Sequence, residues 1–294
     1  MNEKGLAYDA NGLPRADVNP HPERLPVPGG YHNLCMQIMH ECATVEEVIH
    51  WVNTHRRFPY MHDQMHFADK SGDAVIISAG TDGEMVFTRK QPGDGFLVST
   101  NFNVANPDNG YNYPCWRFDK ANELLRQLIE NEDPPGFREV TSVMDAVHME
   151  SSSWTIETLV ADLANGVIYL YYFYQYDDPL IINVKDELAN PREAGPLSRL
   201  FPQDVQDEAA RRYREVTKTI RINNIAGKSW SFLVIVSLIL LFFLPEHDKG
   251  FNFWIPATVA LGPFALVIKL FAHTSGRLST WRKALVETTG NLVP

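Results

Sequence analysis

The sequence predicts an α+β domain, in which helices cover two antiparallel sheets, followed by two transmembrane helices. Three observations lead to this fold class. Apolar runs broken by turn signals fill residues 64–103, a second strand pair flanks Asn165-Gly166, and two long apolar runs occupy the last quarter. The predicted organisation is a domain over residues 1–189, a linker and charged helix over 190–224, a membrane hairpin over 225–273 and a basic tail over 274–294.

The first sheet is predicted as a meander of short strands. Segments rich in Gly, Asp and Pro separate the apolar runs at residues 65–69, 74–79, 84–90 and 96–101. Short β-rich runs bounded by such residues are typical of antiparallel strands joined by tight turns. Val75, Ile76 and Ile77 are continuously apolar, which predicts a strand covered on both faces. In the Pro-rich first 30 residues, only residues 5–8 have the character of a strand.

Helices are predicted before and after this meander. Residues 31–42 have apolar side chains at helical spacing, and Thr44 with Glu47 forms a capping-box signature that opens a second helix. A third amphipathic pattern covers residues 121–129 and, extended backwards, reaches Arg117. A guanidinium on a buried stripe needs a partner, so Arg117 either forms a structural ion pair or serves a functional site. Residues 140–147 predict a fourth helix.

The second sheet is predicted around Ala164-Asn165-Gly166. Strand-like runs at residues 154–163 and 167–174 flank this segment, whose Asn-Gly pair favours a tight primed turn. A further strand is expected at residues 180–184, and a charged helix at 203–221 follows the linker. The tyrosines of the second run are expected to pack in the domain rather than bind a ligand.

Two apolar runs near the end of the chain predict a membrane hairpin. Residues 230–244 contain no charge, and residues 251–272 contain only Lys269. Basic residues flank both ends of the pair, whereas the connecting loop is slightly acidic. The positive-inside rule therefore predicts a multi-pass membrane protein with its large domain in the cytoplasm. The alternative is a hairpin buried in the protein core.

Composition and spacing argue against several partners. The formal net charge is −10 and no Lys/Arg-rich stripe is present, so a nucleic-acid partner is not expected. The three cysteines have no CxxC spacing, which argues against a disulfide framework. His62 and His66 resemble half of a zinc-binding helix, but the pattern here is extended and places them roughly 13 Å apart. Neither a metal nor another cofactor is predicted.

The end of the meander carries a candidate site. The run that closes it ends in Ser-Thr-Asn-Phe-Asn, so that hydroxyls and amides replace apolar side chains at residues 99–103. Neutral hydrogen-bond donors at the rim of a sheet are suited to holding a developing oxyanion. Asn101 is the principal candidate. The alternative is a strand end followed by an ordinary polar loop.

Four stretches resemble one enzyme family. They are MNEKGL at residues 1–6, Asn11 before Pro14, HFADKSG at residues 66–72 and VSTN at residues 98–101. The pattern resembles the choloylglycine hydrolases, penicillin V acylases and related linear-amide hydrolases, which are N-terminal nucleophile hydrolases. Over residues 1–188 this resemblance implies an αββα sandwich, here a partial one, and a small-molecule amide as substrate.

The resemblance also implies roles for three residues. Asn101 matches the family asparagine whose side-chain amide donates to the oxyanion. Asn11, one residue out of register with the pattern, matches another asparagine near the oxyanion. Arg117, in the sequence Cys-Trp-Arg-Phe, matches the arginine beside the nucleophile.

The sequence departs from the family at the nucleophile. In the family this is a cysteine at the mature N-terminus whose α-amine serves as base, and it would precede Met1. The three cysteines of the chain, Cys35, Cys42 and Cys115, have their amines in peptide bonds. The expectation is a membrane-tethered amide hydrolase that lacks its nucleophile segment and is inactive as written. The alternative is a catalytically inactive, membrane-anchored binding or regulatory protein that keeps the fold. The oligomeric state is left open.

Overall fold

A computed structural model describes residues 1–30, 33–109, 111–130, 135–150 and 154–218. Residues 1–212 form one compact unit, and residues from Tyr213 onward form a second. Of this second unit, residues 213–218 are described, and they are helical. The architecture below is that of the first unit.

The first sheet has four antiparallel strands in the order of the chain. They are β1 (Ala7–Asp17), β2 (Tyr60–Ala68), β3 (Ala74–Ala79) and β4 (Met85–Arg89). All six residues of β3 are buried, as the continuous apolar run predicts. Because β3 is covered on both faces, each face of the sheet must be packed by another part of the chain.

Two helices pack on one face of this sheet. Helices α1 (Leu34–Glu41) and α2 (Val45–Thr54) share a core with Phe67 and Val75, both 0% exposed. The predicted cap of α2 is present: Thr44 Oγ1 accepts a hydrogen bond from the Glu47 N–H at 3.2 Å. The Glu47 carboxylate in turn accepts from the backbone N–H of Ala43. Capping satisfies donors that have no partner within the helix.

Strand β1 is longer than the predicted residues 5–8. It runs for 11 residues through Asn11, Gly12 and Pro14, which favour turns in sequence. The register against β2 shifts between Gly12 and Ala16, so a bulge absorbs these residues within the strand. Before β1, the Asn2 side chain donates to the carbonyls of Met39 and Cys42 and so attaches the first turn to the end of α1.

The predicted strand at residues 96–101 is wrong. Residues 96–100 have no regular secondary structure, although β4 at the predicted 84–90 is present. After Pro92 and two glycines the chain forms no further strand beside β4, and Gly95 packs closely against Ile129. The backbone carbonyls of Thr100 and Phe102 are bonded by a side chain, Gln64, instead of by a neighbouring strand.

Two helices and a second antiparallel sheet follow. They are α3 (Trp116–Ile129), α4 (Phe137–Val147), β5 (Glu157–Asp162), β6 (Val167–Tyr172) and β7 (Leu180–Asn183). Phe137 of α4 stacks on Tyr169 with ring centroids 4.2 Å apart, and Thr141 bonds the Tyr171 hydroxyl. The tyrosines of β6 therefore pack in the domain, as expected.

The β5–β6 connection is a hairpin, as predicted, but its turn is of another kind. Asp162 pairs with Val167, so four residues connect the strands, one more than the predicted Ala164-Asn165-Gly166. Gly166 has φ of +68°, whereas Asn165 is not among the described residues with positive φ. A primed turn of type I′ requires positive φ at both central positions. The Asn165 side chain instead bonds the Asp162 carboxylate at 2.7 Å.

Two helices form the last part of the described chain. Helix α5 (Val184–Ala189) follows β7 directly, and residues 203–218 form α6 within the predicted charged helix. In the segment between them, Phe201 is 4% exposed and stacks on Tyr172. In α6, Arg212 donates to the Tyr174 carbonyl at 2.7 Å.

The predicted membrane hairpin at residues 225–273 lies outside the described residues, as do the basic tail and the end of the charged helix. Within the part of the chain that is described, no helix combines the length and the apolar character needed to cross a membrane.

Candidate active site

The candidate site is a loop that lies on the first sheet. We call residues Ser99–Asn103 the Asn101 loop. Side chains alternate along a strand, so Gln64 and His66 of β2 lie on the face opposite to Phe67, which packs with α1 and α2. Gln64 and His66 both bond this loop. The loop therefore covers the sheet face that those two helices leave open.

Gln64 holds the backbone on both sides of Asn101. Its side chain is 0% exposed, and its Nε2 donates to the Thr100 carbonyl at 2.7 Å and to the Phe102 carbonyl at 2.9 Å. Its Oε1 accepts from the Ser78 hydroxyl and the Val104 N–H. A carboxamide has two donor hydrogens and one acceptor oxygen with two lone pairs. Every one of these is used, so the loop has a single well-defined position.

Asn101 is bonded from three directions. Its Nδ2 donates to the Gly12 carbonyl at 3.1 Å, and its Oδ1 accepts from Arg117 Nη2 at 2.7 Å. Its backbone carbonyl accepts from the Asn112 side chain at 3.0 Å. The amide nitrogen has a second hydrogen, and residues of the described ranges provide no acceptor for it. The cation on Oδ1 polarises the carboxamide and strengthens this remaining donor.

Arg117 lies in the first turn of α3. The sequence left open whether this guanidinium forms a structural ion pair or serves a site. Its hydrogen-bond partner among the described residues is the neutral amide of Asn101, and it forms no ion pair with the carboxylates described. The positive charge is therefore directed at the Asn101 loop.

Asn11 is close to this group but does not contact Asn101. It lies in β1 directly opposite Gln64, and its Oδ1 is buried with no hydrogen-bond partner in the described chain. The contact with Asn101 comes from the following residue, Gly12.

A histidine and a serine form a second contact under the loop. His66 Nδ1 lies 2.9 Å from Ser99 Oγ. Burial lowers the pKa of His66, and the charge of Asp9, directly across the strand pair, opposes this only in part. The lowered pKa favours the neutral imidazole, and its Nδ1 accepts the Ser99 hydrogen in the tautomer that carries the ring hydrogen on Nε2.

Cys115 lies at the start of α3, next to the loop. Burial raises the pKa of its thiol, but the Thr100 hydroxyl and the backbone N–H groups of Phe118 and Arg117 outweigh burial and lower it below the ordinary value. The Thr100 hydroxyl lies 3.4 Å from the sulfur. Cys115 is 7% exposed and therefore buried. Its contact with the Thr100 hydroxyl helps to hold the Asn101 loop in place.

A small cleft lies beside the bulge of β1. Residues 13–16 line it together with Asp63 and Asn103, whereas Asn101 and Arg117 do not. Burial raises the pKa of Asp63. Asn103 is 8% exposed and donates to the Ala79 carbonyl, which fixes the end of the loop to β3.

The sequence identified Asn101 and Arg117, which are in direct contact, and came within one residue of Gly12. It included Ser99 only as part of the polar run at residues 99–103, and it did not indicate Gln64 or His66 as residues of the site. A glutamine inside an apolar strand was the available signal for Gln64, because a buried carboxamide must bond to something. The Ser99–His66 pair had no signal, because it depends on a loop that the sequence placed in a strand.

Comparisons with known proteins identify a related fold. No family model matches the sequence, and no curated protein does. Among solved structures, a single-residue variant of conjugated bile acid hydrolase from Clostridium perfringens matches with a TM-score of 0.51 at 16% identity. The match covers 66% of this chain and 74% of that one. At this identity the similarity establishes a shared fold, in agreement with the mixed α+β architecture of two sheets.

Proposed function

We propose that this domain carries the oxyanion side of a linear-amide hydrolase site, with Asn101 as the oxyanion donor. One observation carries the proposal: Arg117, Asn101 and Gly12 form a continuous hydrogen-bonded chain on the open face of the sheet. The fold shared with a conjugated bile acid hydrolase supports the amide class of substrate.

The geometry explains how Asn101 would act. A neutral donor that is already oriented stabilises a developing oxyanion without reorganising during the reaction. Gln64 fixes the carbonyls on both sides of Asn101, and Arg117 fixes its side chain. The second Nδ2 hydrogen would then donate to the oxygen of the tetrahedral intermediate.

The proposed reaction needs a nucleophile from outside the described site. We propose an N-terminal cysteine, as the family resemblance implies, because the three cysteines of the sequence are internal. Such a cysteine would form an acyl-enzyme, and water would then release the acid. We further propose that residues 225–273 tether the domain to a membrane.

The test is a chimera in which the N-terminal segment of a linear-amide hydrolase, with its cysteine, precedes Met1. A conjugated bile acid is the first amide to assay. Asn101→Ala should lower turnover about 10²–10³-fold, because one oxyanion donor is lost. Asn106→Ala, in the same segment, should change it less than about threefold. Asn103 is unsuitable as a control, because it is buried and bonds β3.

Each outcome of this test is informative. Turnover by the chimera with a selective loss in Asn101→Ala supports the proposal. Equal losses in both variants would leave Asn101 without a special role. A folded chimera that binds amides but does not turn them over would favour an inactive binding or regulatory protein.

A further inference from the structure

We propose that Ser99 and His66 form a second catalytic pair that hydrolyses small carboxylic esters, with Ser99 as nucleophile and His66 as general base. The activity would belong to the 294-residue chain alone and needs no N-terminal cysteine. It therefore goes beyond the amide hydrolysis proposed above, and its failure would leave that proposal standing.

Geometry is the first support. A nucleophile is activated when a base lies within hydrogen-bond reach and a third group orients the base. Ser99 Oγ lies 2.9 Å from His66 Nδ1, and Asp9 lies directly across the strand pair from His66. Asp9 is close enough for its charge to act on the imidazole. The pair thus combines a hydroxyl with a base, and the charge of Asp9 favours protonation of that base.

Accessibility and a nearby donor are the second support. Ser99 is partly exposed, so the loop presents this residue toward solvent as well as toward His66. Asn101 is two residues further along the same loop, and both side chains bond the β1–β2 pair. We assign Asn101 Nδ2, which has a hydrogen without an acceptor among the described residues, as the donor to the oxygen of a carbonyl group attacked by Ser99 Oγ.

The reaction would proceed in two stages, acylation of Ser99 and hydrolysis of the acyl-serine. Ser99 Oγ bonds to the ester carbonyl carbon as its proton passes to His66 Nδ1, and the carbonyl electrons move to the oxygen held by Asn101. The carbonyl then re-forms, the bond to the leaving oxygen breaks, and that oxygen takes the proton from His66. Water repeats the sequence on the acyl-serine with His66 as base, which releases the carboxylic acid and restores the serine.

Esters are the expected class because an alkoxide or phenolate leaves more readily than an amine. The loop also lies close to the sheet, which favours small acyl groups. Activity should require neutral His66, so the rate should fall as the pH drops through its pKa. Because burial lowers that pKa, the midpoint should lie below the ordinary value of 6.5.

The experiment measures p-nitrophenyl acetate hydrolysis by the purified 294-residue chain. Ser99→Ala and His66→Gln should each lower the rate at least about tenfold, since general-base catalysis typically contributes about 10²-fold or more. Ser142→Ala, which removes an exposed hydroxyl that bonds within α4, should leave the rate unchanged. Thermal unfolding of each variant separates lost catalysis from lost fold.

A second measurement needs no variant. Diisopropyl fluorophosphate should phosphorylate the unmodified chain on Ser99, as mapped by peptide mass spectrometry, and inactivate it in proportion to labelling. The proposal is overturned if Ser99→Ala hydrolyses the ester as fast as the unmodified chain. It is equally overturned if the label is absent from Ser99 or lies on another residue.

Discussion

At the scale of single residues, Gln64 determines the candidate site more than any residue that the family pattern highlights. One buried carboxamide bonds the carbonyls of Thr100 and Phe102, the Val104 N–H and the Ser78 hydroxyl. Asn101 thus owes its position to a side chain from a neighbouring strand. The candidate site residues lie on a loop, but a residue of the sheet positions them.

We expect Gln64→Leu to destabilise the domain by at least about 3 kcal/mol. The substitution replaces the carboxamide with an apolar side chain of similar size but leaves two carbonyls and one N–H buried without partners, at roughly 1–3 kcal/mol each. Urea unfolding followed by circular dichroism measures the change. Gln91→Leu, at an exposed amide that bonds the Arg89 carbonyl, should cost less than about 0.5 kcal/mol. Equal losses would mean that the Gln64 network contributes no special stability.

At the scale of elements, the sequence correctly predicted the helices and strands whose local sequence signals agree with their packing in the fold. The helix cap at Thr44 and the buried strand β3 were both predicted correctly. A short local sequence pattern is enough to determine each of them. The run at 96–101 was misread as a strand, because Gln64 holds its end against the face of the sheet and Gly95 packs against Ile129, and neither contact is local. Strand β1 was mostly missed, because its bulge places turn-forming residues inside a strand.

The end of α4 provides an element-level prediction about pH. His148 caps this helix, and its side chain is 7% exposed, stacked on Tyr174 and close to Tyr176. Burial disfavours its charge, but hydrogen bonds to Asp145 and Glu150 prevail and raise the pKa of His148 to about 9. On helix α6, Arg212 lies over the Tyr174 ring, with its guanidinium carbon 4.9 Å from the ring centroid.

A raised pKa in the folded state means that protonated His148 stabilises the fold. This contribution is fully present below about pH 6.5 and is lost as the pH rises through about 9. We expect a loss of roughly 2 kcal/mol, less than full linkage because the two carboxylates remain solvent-exposed. Urea unfolding at several pH values measures it. In His148→Gln this part of the pH dependence should disappear, and an unchanged slope would contradict the assignment.

At the scale of the whole molecule, residues 1–212 form an α+β unit that shares its fold with a bile acid hydrolase over two thirds of this chain. The sequence predicted this class from two strand patterns and a few short motifs. It could not predict how the Asn101 loop lies on the sheet, because side chains far apart in sequence determine that placement.

The membrane tether is tested on the whole chain. Expressed in cells, the protein should sediment with membranes and resist extraction with alkaline carbonate, because residues 230–244 and 251–272 supply two long apolar runs. Deletion of residues 229–272 should release the protein into the supernatant. If the intact chain stays in solution without detergent, the two runs are packed against protein and the tether is wrong.

The Gln64 bonds also have a consequence for dynamics. A surface loop ordinarily fluctuates within nanoseconds to microseconds. The backbone of the Asn101 loop is bonded to a side chain rooted in the buried β2–β3 core, so it separates from the sheet only when that core opens. The Val104 N–H should therefore exchange with solvent deuterium about as slowly as the amides of β3. Although it lacks regular secondary structure, this loop belongs to the slowest-opening part of the domain.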